Sequence, residues 1–556
     1  MLRASRLLAA AAALPLLAGC STVTVNGNAV RTPEAPVIAA MTQPVRTQQG
    51  LVHGVSSRIE GVTVFRGIPF AAPPVGDLRW QPPQAPVSWS GVRDASQYGA
   101  PCIQTPAPQR FPVNPATDLG NAPPPSEDCL FLNIWTPAQA AGEKLPVMVW
   151  LFGGAYNEGG GNAPFSEGDN LAAKGVVLVT LNYRVGSLGF FSHPELSAES
   201  PHGASGNQGL ADAIAAFKWL KANVAAFGGD PGNITLFGES AGAAMNAGLV
   251  GSPVAAGTFE RAIAESGGWM GLGIATMMPK ERAEAMGKQM AEAAGAPTLA
   301  ELRAMPAADV HAKIRGQGMV VDGWIIPEDL SITFAQGRQN KVDVIAGSNG
   351  DEGSFTSAFG PPPTLESWNN GAAMRWDEHV DLGNAAYPAS TDEEAAAQAP
   401  MPFSDTLAWH MRLFADRQAA IGQDAWHYWF THEPPYDDDR ADLGSAHTAE
   451  IPYVFDNLAA PRTFPGGSSV EKMAGNPREE ALADLVSSYW VNFARTGNPN
   501  GPGLPYWPRM GELRPNETMI LDADGSGRGP WLTESKTALY EALYKDRVEE
   551  ALRESE

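Results

Sequence analysis

The stretch Asn233-Ile-Thr-Leu-Phe-Gly-Glu-Ser-Ala-Gly-Ala-Ala-Met245 limits the folds open to this chain more than any other. Ile234 to Phe237 reads as a short apolar strand, and Ala241 to Val250, rich in Ala, Met and Leu, reads as a helix. Gly238-Glu-Ser240-Ala-Gly242 joins them directly. A strand that runs straight into a helix needs so sharp a turn that the backbone on either side passes close by, which accounts for the flanking glycines. Such a turn projects Ser240 Oγ at the head of the helix and leaves the Ala241 N–H free to donate to a developing oxyanion. A glycine-rich turn with an incidental serine would fit the five-residue pattern, but not its strand–turn–helix setting.

The rest of the chain alternates in the same way. Residues 129–135 and 146–152 read as strands, and 176–182 is a nearly unbroken apolar run of the kind buried on both faces of a parallel sheet. Asn207 to Phe227 reads as an amphipathic helix, with Leu210, Ile214, Phe217, Leu220 and Val224 at three- and four-residue steps. Gly228-Gly-Asp-Pro-Gly232 ends it and leads into the strand before Ser240. Residues 259–266 and 342–347 continue the alternation, and 425–431 is a further strand candidate. The order predicts an α/β fold: a central, mostly parallel sheet flanked by helices. Alternating runs in 49–68 predict an antiparallel hairpin at a sheet edge. We expect a single domain over 49–556, with cap insertions at about 278–335 (helical over 278–320) and about 355–440 (Pro- and Trp-studded and irregular), and a charged C-terminal helix from about Thr533.

Hydrophobic residues make up 44% of the chain, enough for a large core. The net charge of −23 excludes nucleic acid as a partner, since phosphate neutralisation needs basic patches. Met1 to Arg6 is basic, and Leu7 to Ala18 is an apolar run too short to span a membrane. It closes on Leu17-Ala-Gly-Cys20, which resembles the bacterial lipobox, with Ser21 in the next position. Residues 1–20 are thus expected to be a lipoprotein-type signal, with Cys20 lipidated and 21–48 a flexible tether. Membrane association would be through that anchor only, at the outer membrane, or the protein would otherwise be periplasmic or secreted. Cys102 and Cys129 then remain as an even pair in an oxidising compartment and are read as a disulfide, against the alternative of two buried thiols.

A serine nucleophile needs a base, and the base needs an acidic partner. Chain order in such a fold runs serine, acid, histidine, which leaves His311, His379, His410, His427, His432 and His447. His447 lies in a small-residue loop, Leu443-Gly-Ser-Ala-His-Thr-Ala, whereas His427 falls within a strand pattern and reads as packing. Gly347-Ser-Asn-Gly-Asp351-Glu352-Gly follows directly on a strand, and spacing alone does not choose between the two adjacent acids.

The chain resembles the type-B carboxylesterases, the family of cholinesterases and para-nitrobenzyl esterases. The likeness runs from Gln49 to Asp522. It is carried by Phe237-Gly-Glu-Ser-Ala-Gly-Ala, Glu127-Asp-Cys-Leu-Phe-Leu-Asn133, Gly67-Ile-Pro-Phe-Ala, Asn182-Tyr-Arg-Val-Gly-Ser-Leu-Gly-Phe190, Phe227-Gly-Gly-Asp-Pro and Trp490-Val-Asn-Phe-Ala-Arg-Thr-Gly-Asn-Pro499. The resemblance implies an α/β-hydrolase fold and hydrolysis of a small-molecule carboxylic ester through an acyl-enzyme, with no metal and no organic cofactor. It makes Ser240, Glu352 and His447 the triad, and Gly154, Ala155 and Ala241 the oxyanion donors. Ala155 stands where the family has its third glycine. The resemblance also aligns Glu239 with a glutamate facing the gorge, Ser266 with a serine that bonds the acid, and Cys102–Cys129 with the family's N-terminal disulfide. Substrate pockets are expected from about 268–277, 320–330 and 355–440, where Trp269, Trp324, Trp368 and Trp376 are candidates for lining a gorge. Competing readings are a non-catalytic binding or adhesion module, an amidase and a lipase on the same scaffold.

Overall fold

Eleven strands pair into one sheet, and their sequence shows why most of them run parallel. In chain order they are β1 (Val55–Ser56), β2 (Thr63–Pro69), β3 (Phe131–Thr136), β4 (Leu145–Leu151), β5 (Val177–Leu181), β6 (Gly229–Glu239), β7 (Arg261–Glu265), β8 (Asp343–Asn349), β9 (Ala425–Phe430), β10 (Glu517–Leu521) and β11 (Gly527–Pro530). The spatial order is β11-β10-β9-β8-β7-β6-β4-β5-β3-β2-β1. From β5 through β10 every neighbouring pair is parallel. The antiparallel pairs lie towards the two edges. All five residues of β5 are buried, as an unbroken apolar run requires.

This computed structural model describes residues 23–25, 28–30, 41–104, 122–272, 275–438, 442–460 and 469–555. The expected signal segment, with Cys20, and half of the expected tether lie outside them; residues 41–48, expected to be tether, instead belong to the folded unit, where Val45–Arg46 is a strand. The chain divides into residues 1–38, in which Val23–Val25 pairs antiparallel with Asn28–Val30, and residues 39–556, which hold everything described below. Among the described residues no helix is long and apolar enough to cross a membrane.

Five helices carry residues of the site or of its surroundings: α1 (Gln208–Asn223), α2 (Ala241–Gly251), α3 (Met401–Ala420), α4 (Ile451–Val454) and α5 (Pro477–Thr496); the expected C-terminal helix, α6, spans Glu534–Ser555. Strand order reverses around β4: β5 follows it on one side and β6 lies on the other. Open α/β sheets gather their ligand sites at such a switch, at the carboxyl ends of the strands. The loop after β4 and the turn after β6 meet there.

Three features depart from the sequence reading. The hairpin of 49–68 is split: Val55–Ser56 pairs with β2 at the sheet edge, while Leu51–His53 joins Val45–Arg46 and Val92–Asp94 in a separate three-stranded sheet. The stretch read as irregular is helical over 365–370, 372–376, 380–386 and 392–398. None exceeds two turns, too short for an apolar period to show. Two are opened by threonine caps, Thr364 accepting from Ser367 N–H and Thr391 from Glu394 N–H. The same stretch also contains α3 and β9, and β9 is a strand of the central sheet. Cys102 and Cys129 form a disulfide across a separation of 27 residues, with Cα atoms 4.9 Å apart.

Candidate active site

The turn between β6 and α2 has no room for a side chain on either flank. A Cβ on Gly238 would lie 2.5 Å from the Leu151 carbonyl oxygen, and one on Gly242 would lie 2.0 Å from it. The end of β4 therefore presses on the turn from both sides of the serine. Ser240 itself has φ +56°, a strained value for a residue with a side chain. Its N–H donates to the Glu265 carbonyl at the end of β7 (2.9 Å), and its carbonyl accepts from Ala244 N–H (2.9 Å), so both neighbours fix it.

The half-buried Ser240 Oγ lies 3.0 Å from His447 Nε2. On the other edge of the ring, His447 Nδ1 is 2.5 Å from Glu352 Oε2. The two adjacent acids that spacing left open divide the work. Glu352 is fully buried and faces the imidazole. Asp351 instead stitches the loop that bears His447: its carboxylate accepts from Ser445 N–H (3.0 Å) and its own N–H donates to the Ser445 carbonyl (2.9 Å). Glu352 Oε1 accepts from Asn349 N–H (2.8 Å).

The loop after β4 closes on the serine, since a Cβ on Gly153 would lie 3.0 Å from Ser240 Cβ. Gly154, Ala155 and Tyr156 all have left-handed φ values, +107°, +51° and +63°. Ala155 thus adopts the conformation that a glycine takes without strain, and its N–H is retained. Among the described residues the backbone N–H groups of Gly154, Ala155 and Ala241 donate to no protein acceptor. The loop is braced from β5. Tyr183 stacks on Phe152 with ring centroids 4.1 Å apart and donates its hydroxyl to the Phe152 carbonyl (2.6 Å). Arg184, next in sequence, forms a buried ion pair with Asp212 on α1 at 2.7 Å.

The electrostatics centre on one imidazole among buried acids. Burial disfavours the imidazolium of His447, but the carboxylates of Glu239 and Glu352 outweigh it and hold the group above the usual histidine range. Glu239 Oε1 lies 3.1 Å from His447 Nε2, the same nitrogen that faces Ser240. Burial pushes the Glu239 carboxyl well up, and His447 opposes the shift. Ser266 does not bond the acid: its Oγ is buried without a hydrogen-bond partner among the described residues, while its N–H donates to the Gly347 carbonyl (2.8 Å). Asn349 N–H and His447 are the partners that the acid takes instead.

The other histidines are engaged elsewhere. His427 is buried in β9 with Nδ1 2.7 Å from Thr518 Oγ1, and His410 accepts from Trp269 N–H at 3.2 Å. His432 lies against Glu479 at 2.8 Å. The tryptophans proposed for a gorge are also spoken for. Trp269 packs edge-on to Phe414, Trp324 stacks on His202, and Trp368 and Trp376 belong to a separate apolar cluster with Tyr387. Phe355 and Phe403 are the aromatic residues beside His447, with ring centroids at 6.0 and 6.5 Å. Both fall within the 355–440 stretch, but nothing in their local sequence marks them out. Among the described residues no group of three or more His, Cys, Asp or Glu is arranged to hold a metal ion.

A half-buried serine on a strained turn, an imidazole within reach of it, a buried carboxylate behind the ring and unengaged N–H groups alongside form the geometry of acyl transfer. Comparison with known proteins agrees. A fumonisin B1 esterase of Sphingopyxis macrogoltabida is 38% identical over 90% of this chain and 91% of its own. The para-nitrobenzyl esterase of Bacillus subtilis is 33% identical over 87% of this chain and 95% of its own. The crystal structure of a Geobacillus stearothermophilus carboxylesterase superposes with a TM-score of 0.73 at 32% identity, covering 89% of this chain and 99% of that one. The sequence pattern of the carboxylesterase family matches residues 41–538. With fold, site geometry and relatives in accord over nearly its whole length, the chain belongs to the carboxylesterase family and is a carboxylic-ester hydrolase of the α/β-hydrolase fold.

Proposed function

We propose that Ser240, His447 and Glu352 are the catalytic triad of this esterase and that Gly154, Ala155 and Ala241 form its oxyanion hole. The observation that carries this reading is the chain from Ser240 Oγ to His447 Nε2 to Glu352 Oε2, which joins residues 207 and 95 positions apart. Neutral His447 takes the proton of Ser240 as Oγ attacks the ester carbonyl. Glu352 holds the Nδ1–H tautomer and stabilises the imidazolium that forms. The three N–H groups receive the negative oxygen of the tetrahedral intermediate, each worth about 3–4 kcal/mol in a comparable site. His447 then returns the proton to the departing alcohol, and water repeats the sequence on the acyl-enzyme. Ser240→Ala is expected to lower turnover of a para-nitrophenyl ester by about 10⁴-fold or more, and undiminished turnover would overturn the assignment. The relative named for fumonisin B1 makes that ester the first natural candidate to assay beside it. A matched amide separates this reading from an amidase.

We further infer that residues 1–20 direct export and that Cys20 carries a lipid that holds the enzyme at the outer membrane. Support comes from the basic start, the short apolar run and Leu17-Ala-Gly-Cys20. Metabolic labelling with a fatty acid should mark the protein and fail to mark Cys20→Ala; equal labelling of both rules the anchor out.

A further inference from the structure

Asn349, the last residue of β8, is fully buried and joins the acid loop to both flanks of the base loop. Its N–H donates to Glu352 Oε1 (2.8 Å). Its side-chain Nδ2 donates to the carbonyl of Ala446, immediately before His447 (2.8 Å), and to Glu450 Oε2, three residues after it (2.5 Å). Glu450 is itself buried at the entrance to α4. It belongs to a group of four buried glutamates, with Glu239, Glu265 and Glu352, whose charges act on one another. Glu352 and Glu239 face His447, and Glu265 accepts from Trp490 Nε1–H (2.8 Å). Glu450 makes no ion pair among the described residues. Burial, followed by the charge of Glu352, pushes it up to about 7. Among the described residues two acceptors remain without partners on the joined pair, Asn349 Oδ1 and Glu450 Oε1.

We propose that Asn349 and Glu450 form a positioning clamp that keeps Glu352 and His447 in register, with Glu450 acting in it through its hydrogen bond to Asn349 rather than through its charge. The clamp is not part of the reacting set. It acts through the two residues it holds, and it rests on the triad assigned above. Its loss costs rate rather than binding, because a base displaced by an ångström loses turnover without changing where substrate sits.

The test uses the full chain and steady-state hydrolysis of para-nitrophenyl acetate by Asn349→Ala, Glu450→Ala, Glu450→Gln and, as reference, Ser240→Ala. Asn349→Ala and Glu450→Ala should lower kcat about a hundredfold with KM little changed. Glu450→Gln keeps both an acceptor and a donor for the amide and should stay within about tenfold of the parent. If Glu450→Gln is as impaired as Glu450→Ala, the charge is needed and the proposal fails. If both alanine variants keep the parental kcat, or change only KM, there is no clamp. Should the alanine variants not fold, the nearly isosteric Glu450→Gln decides by itself. An active Ser240→Ala would bring down the triad, whereas an inactive one beside fully active alanine variants would bring down the clamp alone.

Discussion

Glu239 occupies a place from which a carboxylate would tune the proposed base without displacing the proposed nucleophile. Its Oε1 and Ser240 Oγ approach the same nitrogen of His447, at 3.1 and 3.0 Å. A negative Glu239 favours the imidazolium, which cannot accept the serine proton, so it moves the onset of activity to higher pH. His447 is held above the usual histidine range, with Glu239 the leading favourable charge after the opposing effect of burial. The working form is the neutral one, so kcat/KM should rise with pH through a pKa above that of free histidine. Glu239→Gln removes the charge and should shift that rise to lower pH by about 1–3 units. An unshifted profile would mean that Glu239 carries no charge over the range where His447 titrates. In the sequence Glu239 is the neighbour of Ser240; its approach to Nε2 of the imidazole depends on the loop of His447, far along the chain. For the same reason Asp351 and Glu352 stay ambiguous in sequence. They share one loop, and the direction in which each points is set by Ser445 and His447, which lie on another.

Among the elements, those with local causes were legible and those with distant causes were not. The β6–α2 turn was legible because its constraint is local: two glycines that must let a neighbouring strand pass. The apolar runs within β4, β5 and β8 are legible because burial on both faces keeps most of their positions apolar. β10 and β11 were not singled out, since an edge ribbon exposes part of its length and mixes charge into the pattern. The brace of the loop after β4, the proposed oxyanion segment, is legible only as a motif. Asn182-Tyr-Arg reads as conspicuous, yet nothing near it shows that Tyr183 holds the Phe152 carbonyl or that Arg184 pairs with Asp212. The Asn349–Glu450 contact spans 101 residues and left no trace in spacing.

At the scale of the whole molecule the fold brings the ends of β4, β6 and β8 to one side of the sheet, and the disulfide lies just upstream of that frame. Cys129 leads into β3, and its carbonyl accepts from Asn182 Nδ2–H (3.1 Å), while Gln104 exchanges two hydrogen bonds with Gly159, both 2.8 Å. The cross-link thus closes its loop against residues that follow the oxyanion segment but does not touch Ser240, Glu352 or His447. Its main effect falls on the unfolded chain. Closing 27 residues removes conformational freedom worth about 3–4 kcal/mol in the loop-entropy account. In a folded unit of this size, that corresponds to about 3 °C in Tm, because the unfolding entropy scales with chain length. Cys102→Ala/Cys129→Ala should therefore melt at lower temperature by about that amount, followed by circular dichroism, while kcat on a para-nitrophenyl ester at room temperature stays close to the parent. The converse result, an unchanged Tm with a reduced kcat, would mean that the cross-link acts on the folded state through the Gln104–Gly159 pair and holds the oxyanion loop in place.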